Sequence, residues 1–261
     1  MEYIIICIVA LAISGLTLFS GFGLGTILMP VFAIFFPLQI AIAATAIVHM
    51  ANNIFKLVLV GKNANWGVVL RFALTAAIAA IGGAMLLSVF SSLEPVAHYQ
   101  IGSQIHNVTV LKIIIAILIL GFAMFDLIPR LEKLSFDRKY LPFGGLLSGF
   151  FGGLSGFQGA LRSAFLIKSG LSKEQFIGTG VVSAVIVDIS RLIVYGITFY
   201  KSNFDILGQG IWGVVLAATI SAFLGAFIGS RLVKKVTLKA IQIIVGILLI
   251  LIGIGLGIGL I

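Results

Sequence analysis

The sequence predicts an all-α polytopic membrane protein made of two inverted repeats, each a glycine-broken helical hairpin plus three transmembrane helices, about ten segments with both termini outside. Three observations carry this expectation. Of the 261 residues 61% are hydrophobic and 10% charged, and several apolar runs exceed the length of about 18 residues at which a helix can span a bilayer. The pentapeptide Trp66-Gly67-Val68-Val69-Leu70 returns as Trp212-Gly213-Val214-Val215-Leu216, and Ser20-Gly21-Phe22 returns as Ser155-Gly156-Phe157. Finally, the basic residues fall on one face of the bilayer only if the second copy runs opposite to the first.

The apolar spans are expected at Tyr3–Phe36, Leu38–Val60, Gly67–Phe90, Leu111–Ile128, Pro142–Ile167, Gln175–Phe199, Ile211–Leu232 and Leu238–Ile261. The first is too long for one crossing, because helical residues rise about 1.5 Å each and the hydrocarbon core is about 30 Å thick. The run Gly21-Phe22-Gly23-Leu24-Gly25 interrupts it midway, so it reads as two short arms. Pro142–Ile167 reads the same way, broken at Gly152-Gly153 and between Gly156 and Gly159. The chain therefore divides into a first membrane repeat at 1–128, a cytoplasmic connector at 129–142 and a second membrane repeat at 143–261. Between the Ser20/Ser155 match and the tryptophan match the offset grows by 11, which a loop near 200–210 is expected to absorb. No basic segment precedes the first apolar run, so a cleaved signal peptide is not expected.

Charge fixes the orientation. If each hairpin returns to its starting side, one face collects Lys62, Arg130, Lys133, Arg138, Lys139, Lys168, Lys173, Arg231, Lys234, Lys235 and Lys239, and the other keeps Lys112 and Lys201. Eleven against two is the asymmetry of a cytoplasmic side. Eight simple crossings would strand five of those cations outside. The net charge of +9 thus reads as a topology signal within loops, and a nucleic-acid partner is not expected because that would need a basic soluble face.

Four cations lie within the spans: Lys56, Arg71, Arg162 and Arg191. Charge inside a membrane is costly and marks a pathway by default. Arg71 sits within a turn of its helix end and can snorkel. Lys56 shares a helical stripe with His49, Asn52 and Asn53, which calls for a polar cavity or a partner helix. Asp188 and Arg191 hold the corresponding stripe in the second half, where they either neutralise each other or leave Asp188, with His49, to carry a proton. The glycine breaks add backbone N–H groups. Arms starting near Gly25-Thr26 and near Gln158-Gly159 would aim their positive ends at one midplane site. The candidate anion-binding set is accordingly Gly21, Gly23, Gly25, Thr26, Asn52, Asn53, Lys56, Gly156, Gln158, Gly159, Arg162 and Arg191, with Asp188 and His49 as proton-coupling candidates.

Other chemistries find little support. There is no GxxxxGK[ST], HExxH or GxSxG, so neither ATP hydrolysis nor a common intramembrane hydrolase is indicated, and the chain is not expected to be an enzyme. His98 and His106 lack ligand-like spacing, and neither metal nor cofactor is expected. The single cysteine, Cys7, reads as packing. Gly225 with Gly229, and the ladder Gly253, Gly255, Gly257 and Gly259, offer small faces for contact within the chain or for a homodimer.

With these residues in place the chain resembles the TauE/SafE family of sulfite and organosulfonate exporters, also called the toluene sulfonate uptake permease family. The resemblance runs through SGFGLGTILMP at 20–30, ATAIVHMANNIFK at 44–56, SGFQGALRSAF at 155–165 and GTGVVSAVIVDISR at 178–191. Gln158 stands where the family commonly has glycine, and no proline follows it as Pro30 does in the first copy. The resemblance implies a secondary transporter in the cytoplasmic membrane for a small sulfur-containing anion, sulfite or an organosulfonate such as sulfoacetate. The competing expectations are a passive anion channel and a membrane-embedded binding or sensor subunit.

Overall fold

A computed structural model describes residues 2–20, 24–132, 134–202, 211–232 and 238–261. The chain folds as helices α1 (Glu2–Ser20), α2 (Leu24–Phe35), α3 (Leu38–Val60), α4 (Trp66–Ser91), α5 (Val110–Leu127), α6 (Pro129–Glu132), α7 (Leu141–Ser155), α8 (Gly159–Leu166), α9 (Lys173–Ser202), α10 (Ile211–Leu232) and α11 (Leu238–Gly257). Four of them, α3, α4, α9 and α10, are long and apolar enough to cross a membrane. Together with the shorter apolar helices they make this a multi-pass membrane protein. With 12 and 8 residues, α2 and α8 reach about 18 and 12 Å at 1.5 Å per residue, too short to cross alone. They are half-helices.

The all-helical expectation needs one addition. Between α4 and α5 lies an antiparallel hairpin, β1 (Ala97–Ile101) and β2 (Gln104–Val108), with Tyr99 opposite and stacked on His106. Gly102 turns the hairpin at φ 61°, a value open to glycine. The Tyr99 hydroxyl donates to the Ile258 carbonyl at 2.6 Å, which ties the hairpin to the end of α11.

Two further expectations change. In the second hairpin the break falls after Ser155, at Gly156 (φ 87°), while Gly152 and Gly153 remain helical. They are glycine for another reason: a Cβ at Gly153 would overlap the Ala80 carbonyl of α4. The added residues near 200–210 are also not all loop. Helix α9 has 30 residues against 23 in α3, so seven of them extend the helix (30 − 23), and 203–210 lie outside the described residues. The segment 129–142 contains α6 and packs on α8, with Phe136 stacked on Phe165 at 4.3 Å and its N–H donating to the Ala164 carbonyl.

Small residues decide which helices touch. Helix α7 packs on α4, where Cβ atoms at Gly145, Gly149 and Gly153 would strike the carbonyls of Phe72, Ala76 and Ala80. Helix α1 packs on α10, where Gly225 and Gly229 lie against the carbonyls of Leu11 and Gly15. In lipid no hydrophobic force separates helices from solvent, so close backbone approach through such faces supplies the association. The glycines considered for a homodimer are thus used inside the chain: Gly253 meets Leu120 and Gly257 meets Ala116, both on α5. The opposite faces of α4 and α10, lined by Leu70, Leu74 and Ile78 and by Leu216, Ile220 and Leu224, are exposed and apolar as a lipid face requires. Trp66 and Trp212 stand exposed at the helix starts, in the manner of interfacial anchors.

Gly149→Val should therefore lower thermal stability in detergent by at least about 3 kcal/mol, since carbonyl overlap exceeds ordinary overpacking. Gly82→Val, where a Cβ meets nothing within 4 Å, should leave the melting midpoint in place. Equal midpoints for the two variants would contradict this packing.

Candidate functional site

Helices α3 and α9 cross at the middle of the chain's polar centre, because each carries polar residues on the stripe that faces the other. From α3 come His49, Asn52, Asn53 and Lys56, and from α9 come Asp188 and Arg191, all less than 7% exposed. The Asp188 carboxylate receives five donors. His49 Nδ1 approaches Oδ2 at 2.7 Å and Asn53 Nδ2 donates to the same oxygen at 3.1 Å. Gln158 Nε2 donates to Oδ1 at 3.1 Å, and Arg191 adds Nε at 3.0 Å and a terminal nitrogen at 2.7 Å. A carboxylate so surrounded acts purely as an acceptor. His49 must present Nδ1–H to it, leaving Nε2 as the ring nitrogen that takes up a proton.

The α7–α8 break is built onto this network. A helix end leaves carbonyls without partners, and here α9 supplies them: Arg191 donates to the Gly152 carbonyl at 3.2 Å, and the Tyr195 hydroxyl donates to the Gly153 carbonyl. Gly156 adopts φ 87°, and a Cβ there would come within 3.0 Å of the Arg191 guanidinium. Ser148 donates to the Gln158 carbonyl at 3.0 Å. Gln158 precedes α8 without making a side-chain cap, so the N–H groups of Gly159 and its first-turn neighbours lack a side-chain acceptor. Gly25, in the first turn of α2, lies so that a Cβ would stand 3.4 Å from the Gly156 carbonyl and 3.7 Å from His49. The two breaks thus meet beside the crossing. Thr26 is buried in the same turn, whereas Gly21 and Gly23 lie outside the described residues.

Several candidate ligands are already engaged with the protein. Arg191 uses three nitrogens on Asp188 and Gly152, Asn53 donates to Asp188, and Gln158 joins Asp188 to Arg162. Capacity remains elsewhere. Arg162, one turn into α8 and 9% exposed, has one side-chain hydrogen bond among the described residues, donated to Gln158 Oε1 at 3.3 Å. Lys56 is 6% exposed, and among the described residues its ammonium makes neither a hydrogen bond nor an ion pair. Both cations approach the same turn of α9: a Cβ at Gly180 would stand 3.6 Å from Arg162 Nε, and one at Gly178 would stand 2.8 Å from the carbonyl of Val60, one turn beyond Lys56. Asn52 accepts from Ser14 at 3.1 Å, but among the described residues neither its Nδ2 nor Thr45 Oγ1, 1% exposed, has a partner.

Thr45, Ser14, Ser148 and Tyr195 were not singled out from sequence. Two of them carried a signal: Thr45 lies on the stripe of His49, Asn52 and Lys56 at i, i+4, i+7 and i+11, and Tyr195 follows Asp188 and Arg191 at i+7 and i+4. Ser14 and Ser148 sit on other helices and become visible only through packing. The structure places Arg71 at an exposed position, and among the described residues no group of His, Cys, Asp or Glu gathers as metal ligands.

Broken helices meeting at a buried, charged centre define a class of membrane proteins that handle polar solutes within the bilayer. The chain belongs to the sulfite exporter TauE/SafE family, whose family model matches residues 4–256. That is nearly the whole chain, and the family is one of membrane transporters. No curated protein and no solved structure matches the chain.

Replacing Asp188 with Asn strands the Arg191 charge in a dry site, a loss of about 3–5 kcal/mol. The variant should melt well below the wild type in detergent, and an unchanged midpoint would contradict the network.

Proposed function

We propose that this protein is a secondary transporter that moves a small sulfur-containing anion, sulfite or an organosulfonate such as sulfoacetate, across the cytoplasmic membrane by alternating access. The observation that carries this reading is the pair of buried cations, Lys56 and Arg162, beside the uncapped start of α8. Helix N-termini and guanidinium groups both favour oxyanions, and in a low-dielectric site they act together. Asn52 Nδ2, Thr26 and the N–H groups around Gly25 add neutral donors. A sulfonate group offers three oxygens to such a set.

Alternating access needs two halves related by symmetry, and the reading of repeats at 1–128 and 143–261 as inverted rests on more than loop charge. Helix α3 begins at Leu38 and α9 at Lys173, an offset of 135 (173 − 38). Asn53 contacts Asp188, its own counterpart at that offset. A residue can touch its counterpart only where a two-fold axis passes between them. The segment after α3 meets the start of α9, with the Asn65 N–H donating to Thr179 Oγ1, so the paired helices run antiparallel as an axis in the membrane plane requires. The contact of Gly83 with Phe150 likewise returns as that of Gly229 with Gly15, at offsets of 146 and 135 (229 − 83, 150 − 15). In this reading both termini lie outside, the connector at 129–142 is cytoplasmic, and one half rocks on the other about the α3–α9 crossing. Proton coupling falls to His49, because its imidazole is held through Nδ1 on Asp188 and keeps a second ring nitrogen that can take up and release a proton.

Reconstituted protein should show saturable, gradient-driven flux of labelled sulfite or sulfoacetate. Unsaturable flux points to a channel, and binding without flux to a sensor. Arg162→Ala should lower flux at least about tenfold, the worth of one charge-assisted contact. In His49→Gln, flux should cease to respond to an imposed pH gradient; a response equal to that of the wild type rules out His49 as the coupling group.

A further inference from the structure

The buried centre does not balance its own charge. Among the described residues, Asp188 is the buried carboxylate, and its partner in the ion pair is Arg191 at 2.7 Å. With Lys56 and Arg162 added, three cationic side chains share the interior with one carboxylate among the described residues, and a proton on His49 would increase the excess. Glu2, Glu94, Asp137 and Glu174 lie at helix ends or in loops and cannot offset it. A net charge of about +2 in a low-dielectric interior is strongly unfavourable unless a ligand neutralises it.

We infer that the site selects anions bearing two negative charges, and that Lys56 is the residue that reads the second charge. This rests on the transporter reading and extends it to the charge class of the substrate. The division of labour follows from chemistry and position. Arg162 stands in the first turn of α8, where a planar guanidinium and backbone N–H groups together suit the oxygens of one oxyanion group. Lys56 comes from α3, a different helix, as a point charge that has no partner among the described residues. One anionic charge is matched by Arg162. A ligand with only that charge leaves the Lys56 ammonium buried and uncompensated, so the monoanion loses most of the attraction that the dianion gains. Geometry alone would not discriminate so strongly, since the nearby donor Asn52 Nδ2, one turn from Lys56 and without a partner among the described residues, donates to neutral and charged oxygens alike.

The experiment compares two probes of similar size on the purified full chain in detergent by titration calorimetry. Sulfoacetate carries a sulfonate and a carboxylate, and isethionate replaces the carboxylate with a hydroxymethyl group. The wild type should bind sulfoacetate at least about tenfold more tightly than isethionate. In Lys56→Gln the ratio should collapse to near parity, and Lys56→Arg should restore it. Equal binding of the two probes by the wild type overturns the inference while leaving the transporter reading intact. So does a Lys56→Gln variant that weakens both probes by the same factor. Failure of both probes and of sulfite to bind overturns the substrate reading and the inference with it.

Discussion

The whole centre hangs on one carboxylate. Asp188 draws donors from α3, α9 and the segment between α7 and α8, so a single side chain fixes the crossing of the two central helices and the position of a helix break. Burying a carboxylate is costly, and the cost is met only when most of its acceptor sites are filled. Five donors fill them here. The neighbouring polar groups are therefore constrained in turn: Gln158 cannot rotate away without giving up its donation to Oδ1, and Asn53 cannot be exchanged for an apolar residue without leaving Oδ2 to His49 alone. A site held this way is rigid where it is paired and adaptable where it is not.

The helix break inherits that rigidity. Half-helices in a membrane expose carbonyls that neither lipid nor water can satisfy. Arg191 and Tyr195 of α9 take them up, so α7 can stop short and α8 can begin inside the protein. The glycines of α7 permit the contact with α4 that brings the break to this depth, because larger side chains at 145, 149 and 153 would hold the helices apart. Close packing and charge placement are thus one design: without the small faces the guanidinium of Arg191 would not reach both Asp188 and the end of α7.

Much of this was legible in the sequence because membranes simplify the code. Apolar length located the spans, glycine runs located the half-helices, and the scarcity of charge made Lys56, Arg162, Asp188 and Arg191 conspicuous. What sequence could not supply was partnership. The stripe of His49, Asn53 and Lys56 requires a polar neighbour, but nothing in a linear pattern says that His49 and Asn53 meet Asp188 while Lys56 meets no acceptor among the described residues. Gly152 and Gly153 looked like a break because glycine serves both bends and close contacts, and only the position of Ala80 distinguishes the two uses. The hairpin at 97–108 escapes the sequence, since strands of five residues between membrane helices leave a weak periodic signal.

The divergence between paired positions gives the centre its charge. At the offset of 135, Lys56 corresponds to Arg191, Ile27 to Arg162, and Asn53 to Asp188. Asparagine at both 53 and 188 would leave three cations without a carboxylate, and the α3–α9 crossing would be driven apart. Aspartate at both would place two carboxylates in contact, retain one net positive charge if both stayed ionised, and bring like charges together at the axis. One Asn facing one Asp avoids both outcomes: the amide donates to its counterpart, Arg191 is neutralised, and the Lys56 charge is left over. Ile27 in place of a second arginine keeps the start of α2 apolar, so the excess charge gathers at α8. Symmetry brings the helices together, and its breaking at these three pairs places attraction for an anion on one side of the crossing.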